Sequence, residues 1–160
     1  KKLLEYCLTD AKRQGKSGVC IISSSKKKPY LSDKKYIQKF GFETVDRIDN
    51  EYELLALSFD GTAPQFTPTA KSQHIDGEEL TVYYSLQCPF IPNCLEQIES
   101  YCNTNNITLR LIKVDTLEKA KELPCVFNNW AVFYKGKFET VQLLNENSLK
   151  KLLAAGGAHL

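Results

Sequence analysis

The sequence predicts an α/β chain of the α+β kind, divided into two parts. Three observations predict it. Short β-branched runs alternate with stretches whose apolar residues recur at helical spacing. A Gly-, Pro- and Thr-rich polar stretch at residues 61–79, "GTAPQFTPTAKSQHIDGEE", shows neither period and reads as a linker. Beyond it, residues 80–160 run in the order β-α-β-α-β-β-α.

Each element has its own signal. Leu4, Cys7, Leu8 and Ala11 fall at i, i+3, i+4 and i+7, one apolar stripe of a helix over 3–14. "GKSG" ends that helix, with Gly15 as C-cap. "VCIIS" (19–23) is a short buried strand. Ser32 can cap a helix running to Phe40, and Gly41 can take the left-handed conformation that stops it. "ETVDRID" and "YELLALSF" are two strands joined by a turn at Asp49–Asn50. In the second part "LTVYYS" is a strand and 89–105 a helix whose start tolerates proline. "ITLRLIKVD" (107–115) is a strand, and "TLEKAKEL" (116–123) a short helix with Thr116 as cap. "WAVFY" and "KFETVQL" form a hairpin around "KGK", and "NENSLKKLLA" is an amphipathic closing helix.

Composition narrows the function classes. Of the 160 residues, 42% are hydrophobic and 25% charged, as in an ordinary globular protein. No apolar run reaches the about 18 residues of a membrane span, so no membrane partner is expected, and no signal peptide opens the chain. A net charge of +2 gives no reason to expect nucleic acid. The six cysteines follow neither a disulfide framework nor zinc spacing, and two histidines add no ligand set, so no metal is expected and reduced thiols in a cytoplasm are. The chain contains no methionine and opens inside a helical pattern, which leads us to expect a piece of a longer protein.

The second part carries a further pattern. "YYSLQCPFIPNC" places Cys88 directly after a strand and ahead of a helix, and "LPC" (123–125) stands directly before the hairpin. With "WAVFYKGKF", this resembles the thioredoxin-like domains over residues 80–154. The resemblance implies a cis bond at Leu123–Pro124, with Pro124 a structural residue beside the nucleophilic cysteine. It departs from the usual Cys-x-x-Cys, since the positions read Cys88-Pro89-Phe90-Ile91. Cys94, six residues along a helix, is on another face and too far away to bridge to Cys88. Cys125 is the better partner, because it follows the implied cis-proline. A helix dipole at Cys88 would favour a thiolate. Two readings stand: Cys88 and Cys125 are packing thiols of a binding domain, or Cys88 serves a monothiol or sensor chemistry.

The first part has its own resemblance. "KKYIQKFGFE" followed by a hairpin is similar to the closing part of the GNAT N-acetyltransferases, with Lys39, Gly41 and Phe42 matching the Lys-x-Gly-Phe stretch. "SGVCIISSSKKKPYLSDKKYIQKFGFE", "YELLAL", "YYSLQCPF" and "FYKGKF" together resemble the YoaP-type acetyltransferases, a GNAT domain followed by a thioredoxin-like domain. The expected organisation is residues 1–60 as the end of the GNAT domain, 61–79 as linker, and 80–160 as the thioredoxin-like domain.

The resemblance implies an acyl-CoA-dependent N-acyltransferase with acetyl-CoA as cofactor and a small-molecule amine or peptide amine as acceptor. A homo-oligomer is left open. The Gly-rich pyrophosphate loop of that family would precede residues 1–14, so this chain by itself is expected to be inactive. The family's proton-donating tyrosine falls at Ile37, with Tyr36 adjacent, and its asparagine falls at Tyr30. Tyr36 is therefore the candidate proton donor, against a packing role. Lys26, Lys27 and Lys28 are candidates for the CoA phosphates, against a solvated loop. The rival is a monothiol redox or sensor module using Cys88 on a non-catalytic acyltransferase remnant. A pure interaction module is the third reading.

Overall fold

The computed structural model describes residues 2–49 and 51–156. The chain is α+β and divides into two compact units, residues 1–66 and 67–160.

In the first unit, helix α1 (Lys2–Arg13) precedes strand β1 (Gly18–Ser24). The short helix α2 (Lys34–Gln38) and the antiparallel strands β2 (Glu43–Ile48) and β3 (Tyr52–Ser58) follow. The sheet order is β1-β3-β2. β3 is central because its alternating faces are both apolar, with Tyr52, Leu54 and Ala56 buried on one side and Leu55 on the other. α1 and α2 cover the Leu55 face, where Leu4, Leu8, Val19, Ile21 and Leu57 surround Leu55, Ile37 and Phe42.

Two details of this unit differ from expectation. α2 is capped by Asp33, not Ser32. The Asp33 carboxylate accepts from the Tyr36 N–H at 3.0 Å, whereas the Ser32 carbonyl accepts from the Ser23 hydroxyl. A carboxylate one residue later reaches the free amides better. The helix also stops at Gln38, two residues early, because Gly41 at φ +86° turns the chain into β2. Of the expected turn at Asp49–Asn50, Asp49 has φ +47° and Asn50 lies outside the described residues.

The second unit opens with a short helix, α3 (Pro68–Ser72), capped by the Thr67 hydroxyl. Then β4 (Leu80–Tyr84), α4 (Ile91–Thr104), β5 (Leu109–Lys113), α5 (Leu117–Lys121), β6 (Trp130–Tyr134), β7 (Lys137–Thr140) and α6 (Glu146–Ala154) follow in order. The sheet order is β5-β4-β6-β7, with β4 and β5 parallel and the other pairs antiparallel. Lys135 and Gly136 both take positive φ in the two-residue turn between β6 and β7, the mirror-image geometry that matches strand twist. Asn145 starts α6 with a capping box shared with Ser148.

Strand alternation sorts this core into two layers. Leu80, Val82, Trp130 and Val132 join Ile91, Cys94, Ile98 and Cys102 of α4 and Leu149 and Leu152 of α6. Their neighbours Tyr83, Ala131 and Phe133 meet Cys125, Phe127, Phe138 and Ile75 on the opposite face.

The four sheet edges are treated differently. β2 has a register shift between Thr44 and Asp46 and carries Asp46 and Arg47. β5 carries Arg110 and Lys113. β7 is lined by residues from the expected linker: Phe138 N–H donates to Gln73 O, Ile75 N–H donates to Gly136 O, and His74 bridges to Lys137. β1 has no charge, proline or bulge, and among the described residues pairs only with β3. Charges and bulges are the usual protection of an edge, and β1 carries neither.

Candidate functional site

The loop between β1 and α2 gathers the chemistry of the first unit. β1 ends in two buried serines. The Ser24 hydroxyl donates to Glu51 O at 2.6 Å and accepts from the Lys26 N–H at 3.2 Å. The Ser23 hydroxyl reaches across the loop to Ser32 O at 3.3 Å. Both loop ends are thereby tied to β1, and Leu31 N–H closes a turn on Lys28 O.

The three lysines of the loop are not equivalent. Lys28 turns inward: its Nζ is 2.5 Å from Glu51 Oε1, 5.0 Å from the Tyr52 ring centre and 5.9 Å from the Tyr30 ring centre. The two tyrosine hydroxyls stand 3.5 Å apart. Burial works against the Lys28 charge, but the Glu51 hydrogen bond and the Tyr30 and Glu51 charges outweigh it and raise its pKa above the ordinary lysine value. Lys26 and Lys27 are exposed. Of the expected trio, two ammonium groups are therefore presented to solvent and the third is engaged by its own chain.

Tyr36 and Ile37 project about 100° apart around α2, as successive helical residues do. Ile37 is core, while Tyr36 is 49% exposed and meets Phe40 edge-on at 5.2 Å. Sequence reasoning passed over Glu53. It is 4% exposed on β3, with Lys34 Nζ 2.8 Å and Arg47 Nε 3.2 Å from its carboxylate oxygens. The available signal was a carboxylate inside the apolar run "YELLAL", a residue type seldom buried without a partner.

In the second unit, Cys88 is half-buried against the α4/α6 core layer, two residues before the Phe90 cap position of α4. Its carbonyl accepts from the Ile91 N–H at 3.2 Å. The helix therefore begins two residues later than expected, after Pro89, and Phe90 offers it no side-chain cap. Phe90 is 70% exposed and Ile91 fully buried.

Cys125 is buried in the other layer, against Ala131 and Phe133, and its thiol donates to Phe127 O at 3.3 Å. Burial pushes its pKa up to about 11, and also raises those of Cys94 and Cys102. Cys88 packs against the α4/α6 layer and Cys125 belongs to the Phe133 layer, and all six cysteines are free.

The expected cis bond at Leu123–Pro124 is corrected, since the described residues contain no cis peptide. Trans is the lower-energy form by about 0.5–1 kcal/mol, and a path that sends Cys125 into the Phe133 layer does not need the tighter turn. Among the described residues, no group of three or more metal-ligating side chains occurs. No helix of the described residues is long and apolar enough to cross a membrane.

Comparison with known proteins adds two findings. A family described as YoaP-like matches residues 108–151, which run from β5 into α6. The chain is also 33% identical over 155 residues to a Bacillus subtilis (strain 168) protein called "Uncharacterized N-acetyltransferase YoaP". That match covers 96% of this chain and 62% of the relative, so this chain spans under two thirds of the relative's length. No solved structure matches.

Proposed function

We propose that this chain is part of a cytoplasmic, acyl-CoA-dependent N-acyltransferase of the GNAT type, moving an acetyl group from acetyl-CoA to a small-molecule or peptide amine. The observation that carries this reading is the similarity to the Bacillus N-acetyltransferase across 96% of the chain, through both units. In the reaction the deprotonated amine attacks the thioester carbonyl carbon, the C–S bond breaks, and the departing CoA thiolate takes a proton. Tyr36, exposed at α2, is the candidate donor of that proton. Lys26 and Lys27 are candidates to meet CoA phosphates as point charges. The second unit, thioredoxin-like without its Cys-x-x-Cys pair, serves as an accessory domain that shapes the acceptor site or an interface.

The edge of β1, which among the described residues pairs with β3 alone, supports a division of labour, in which this chain supplies one side of a cofactor site that another segment completes. Calorimetric titration of residues 1–160 with acetyl-CoA is the test. Weak binding is expected, and a micromolar dissociation constant would refute the idea that the site is incomplete here.

One observation favours a second reading. Phe90 is 70% exposed and Cys88 is only partly buried, so that thiol stays within reach of solvent as a monothiol or sensor would need. Disulfide reduction of insulin separates the two. Turnover at background level is expected, and robust turnover abolished by Cys88→Ser would put the redox reading first.

A further inference from the structure

Lys28 does not face the same way as its two neighbours, and the reason lies in the side chains that hold it. Its ammonium is paired with Glu51 at 2.5 Å and lies over the rings of Tyr52 and Tyr30. Tyr52 is a core residue of β3, and Glu51 immediately precedes that strand. Glu51 also takes the Ser24 hydroxyl on its carbonyl, so one residue anchors both the start of the loop and its middle. The Tyr30 hydroxyl, 3.5 Å from that of Tyr52, adds a second tie to the same strand. The Ser23 hydroxyl on Ser32 O holds the far end. Four ties therefore fasten residues 24–32 to the sheet, and Lys28 is the central one. Lys26 and Lys27 lie between the first two anchors and face solvent.

We propose that Lys28 is a positioning residue: its contacts with Glu51, Tyr30 and Tyr52 fasten the 25–33 loop so that Lys26 and Lys27 present two fixed ammonium groups to a phosphate-bearing ligand. The proposal rests on the phosphate-binding reading of Lys26 and Lys27 above. The physical advantage is preorganisation. A flexible lysine pair loses side-chain and loop entropy on binding, and a fastened loop has lost part of it already. Lys28 itself is occupied and does not touch the ligand.

The test uses the whole chain, with coenzyme A as the probe and backbone amide NMR as the readout. Steady-state heteronuclear NOE values report loop order, and shift changes on titration report affinity even when it is weak. Lys28→Ala should lower the NOE values of the amides of residues 25–33, Pro29 aside, and weaken coenzyme A binding about fivefold, although Lys26 and Lys27 are still present. Lys28→Arg keeps the cation over both rings and its pair with Glu51, and should restore loop order and affinity to within about twofold.

Two outcomes overturn the positioning role. One is a loop that stays ordered in Lys28→Ala. The other is loss of affinity in Lys28→Arg with loop order intact, which would make Lys28 a direct ligand. The double change of Lys26 and Lys27 to Ala tests the underlying reading separately. It should abolish the shifts caused by coenzyme A while leaving loop order alone, and unchanged affinity there removes the phosphate reading itself.

Discussion

The two units hold themselves together by different means. In the second, helices pack on one face of a four-stranded sheet, an aromatic layer covers the other, and both layers contain fully buried large side chains. Its β7 edge is lined by its own chain. In the first, three strands support a smaller cluster centred on Leu55, Ile37 and Phe42, α1 buries no residue completely, and among the described residues β1 pairs with β3 alone. The first compensates partly with polar ties: a buried carboxylate between two cations, and a lysine between a carboxylate and two aromatic rings. Small cores bury a smaller share of their surface, so the first unit is the more marginal of the two.

The sharpest test of this contrast is the aromatic layer. Phe133 is fully buried, between Tyr83 and Phe138 at ring distances of 5.5 and 5.6 Å. Phe133→Ala should cost about 3–5 kcal/mol, read as a lowered denaturant midpoint for the second unit. A cost below about 1 kcal/mol would show that the layer is loosely packed and that the contrast between the units fails.

A smaller effect comes from pH. The Cys125 thiol has its pKa raised from 9.0 to about 11 in the folded chain. Between those values the unfolded chain has released the proton and the folded chain has not. Full stability is therefore present below about pH 9 and is lost as pH rises through about 11, by about 2–3 kcal/mol in total. Cys125→Ala should flatten that alkaline slope in urea titrations at stepped pH. A slope unchanged by the substitution would mean that the loss arises elsewhere.

The smallest effect tests the first unit. Gly41 sits at φ +86°, and a Cβ there would lie 3.4 Å from Leu57 Cδ1, an ordinary contact. Gly41→Ala should therefore cost about 1–2 kcal/mol from the backbone alone. Hydrogen exchange should show it as faster exchange confined to the first unit. Exchange equal to the unsubstituted chain would place the α2–β2 junction outside that unit's cooperative core.

Much of this was legible in the sequence because the signals are local. Leu4 and Leu8 of the expected stripe face the core from α1, although Cys7 of the same stripe is exposed; the near-continuous apolar runs "YELLAL" and "WAVFY" make central strands, and Thr116 caps its helix as a hydroxyl side chain does. The order β-α-β-α-β-β-α of residues 80–154 follows from those periods. What the sequence could not determine depends on which residues meet across the chain. Lys26, Lys27 and Lys28 are identical in type and adjacent, yet only Lys28 finds Glu51 and Tyr52, more than twenty positions away. Cys88 and Cys125 look like partners along the chain, but the fold packs them into two different core layers. The polar stretch 67–79 shows no clear period, yet it forms the short helix α3 and then bonds along the β7 edge through Gln73 and Ile75, a placement that depends on the finished sheet. Local propensity acts over a few residues, whereas pairing, burial and edge protection are decided by the whole fold, and that is where the loop lysines and the thiols acquire their different chemistry.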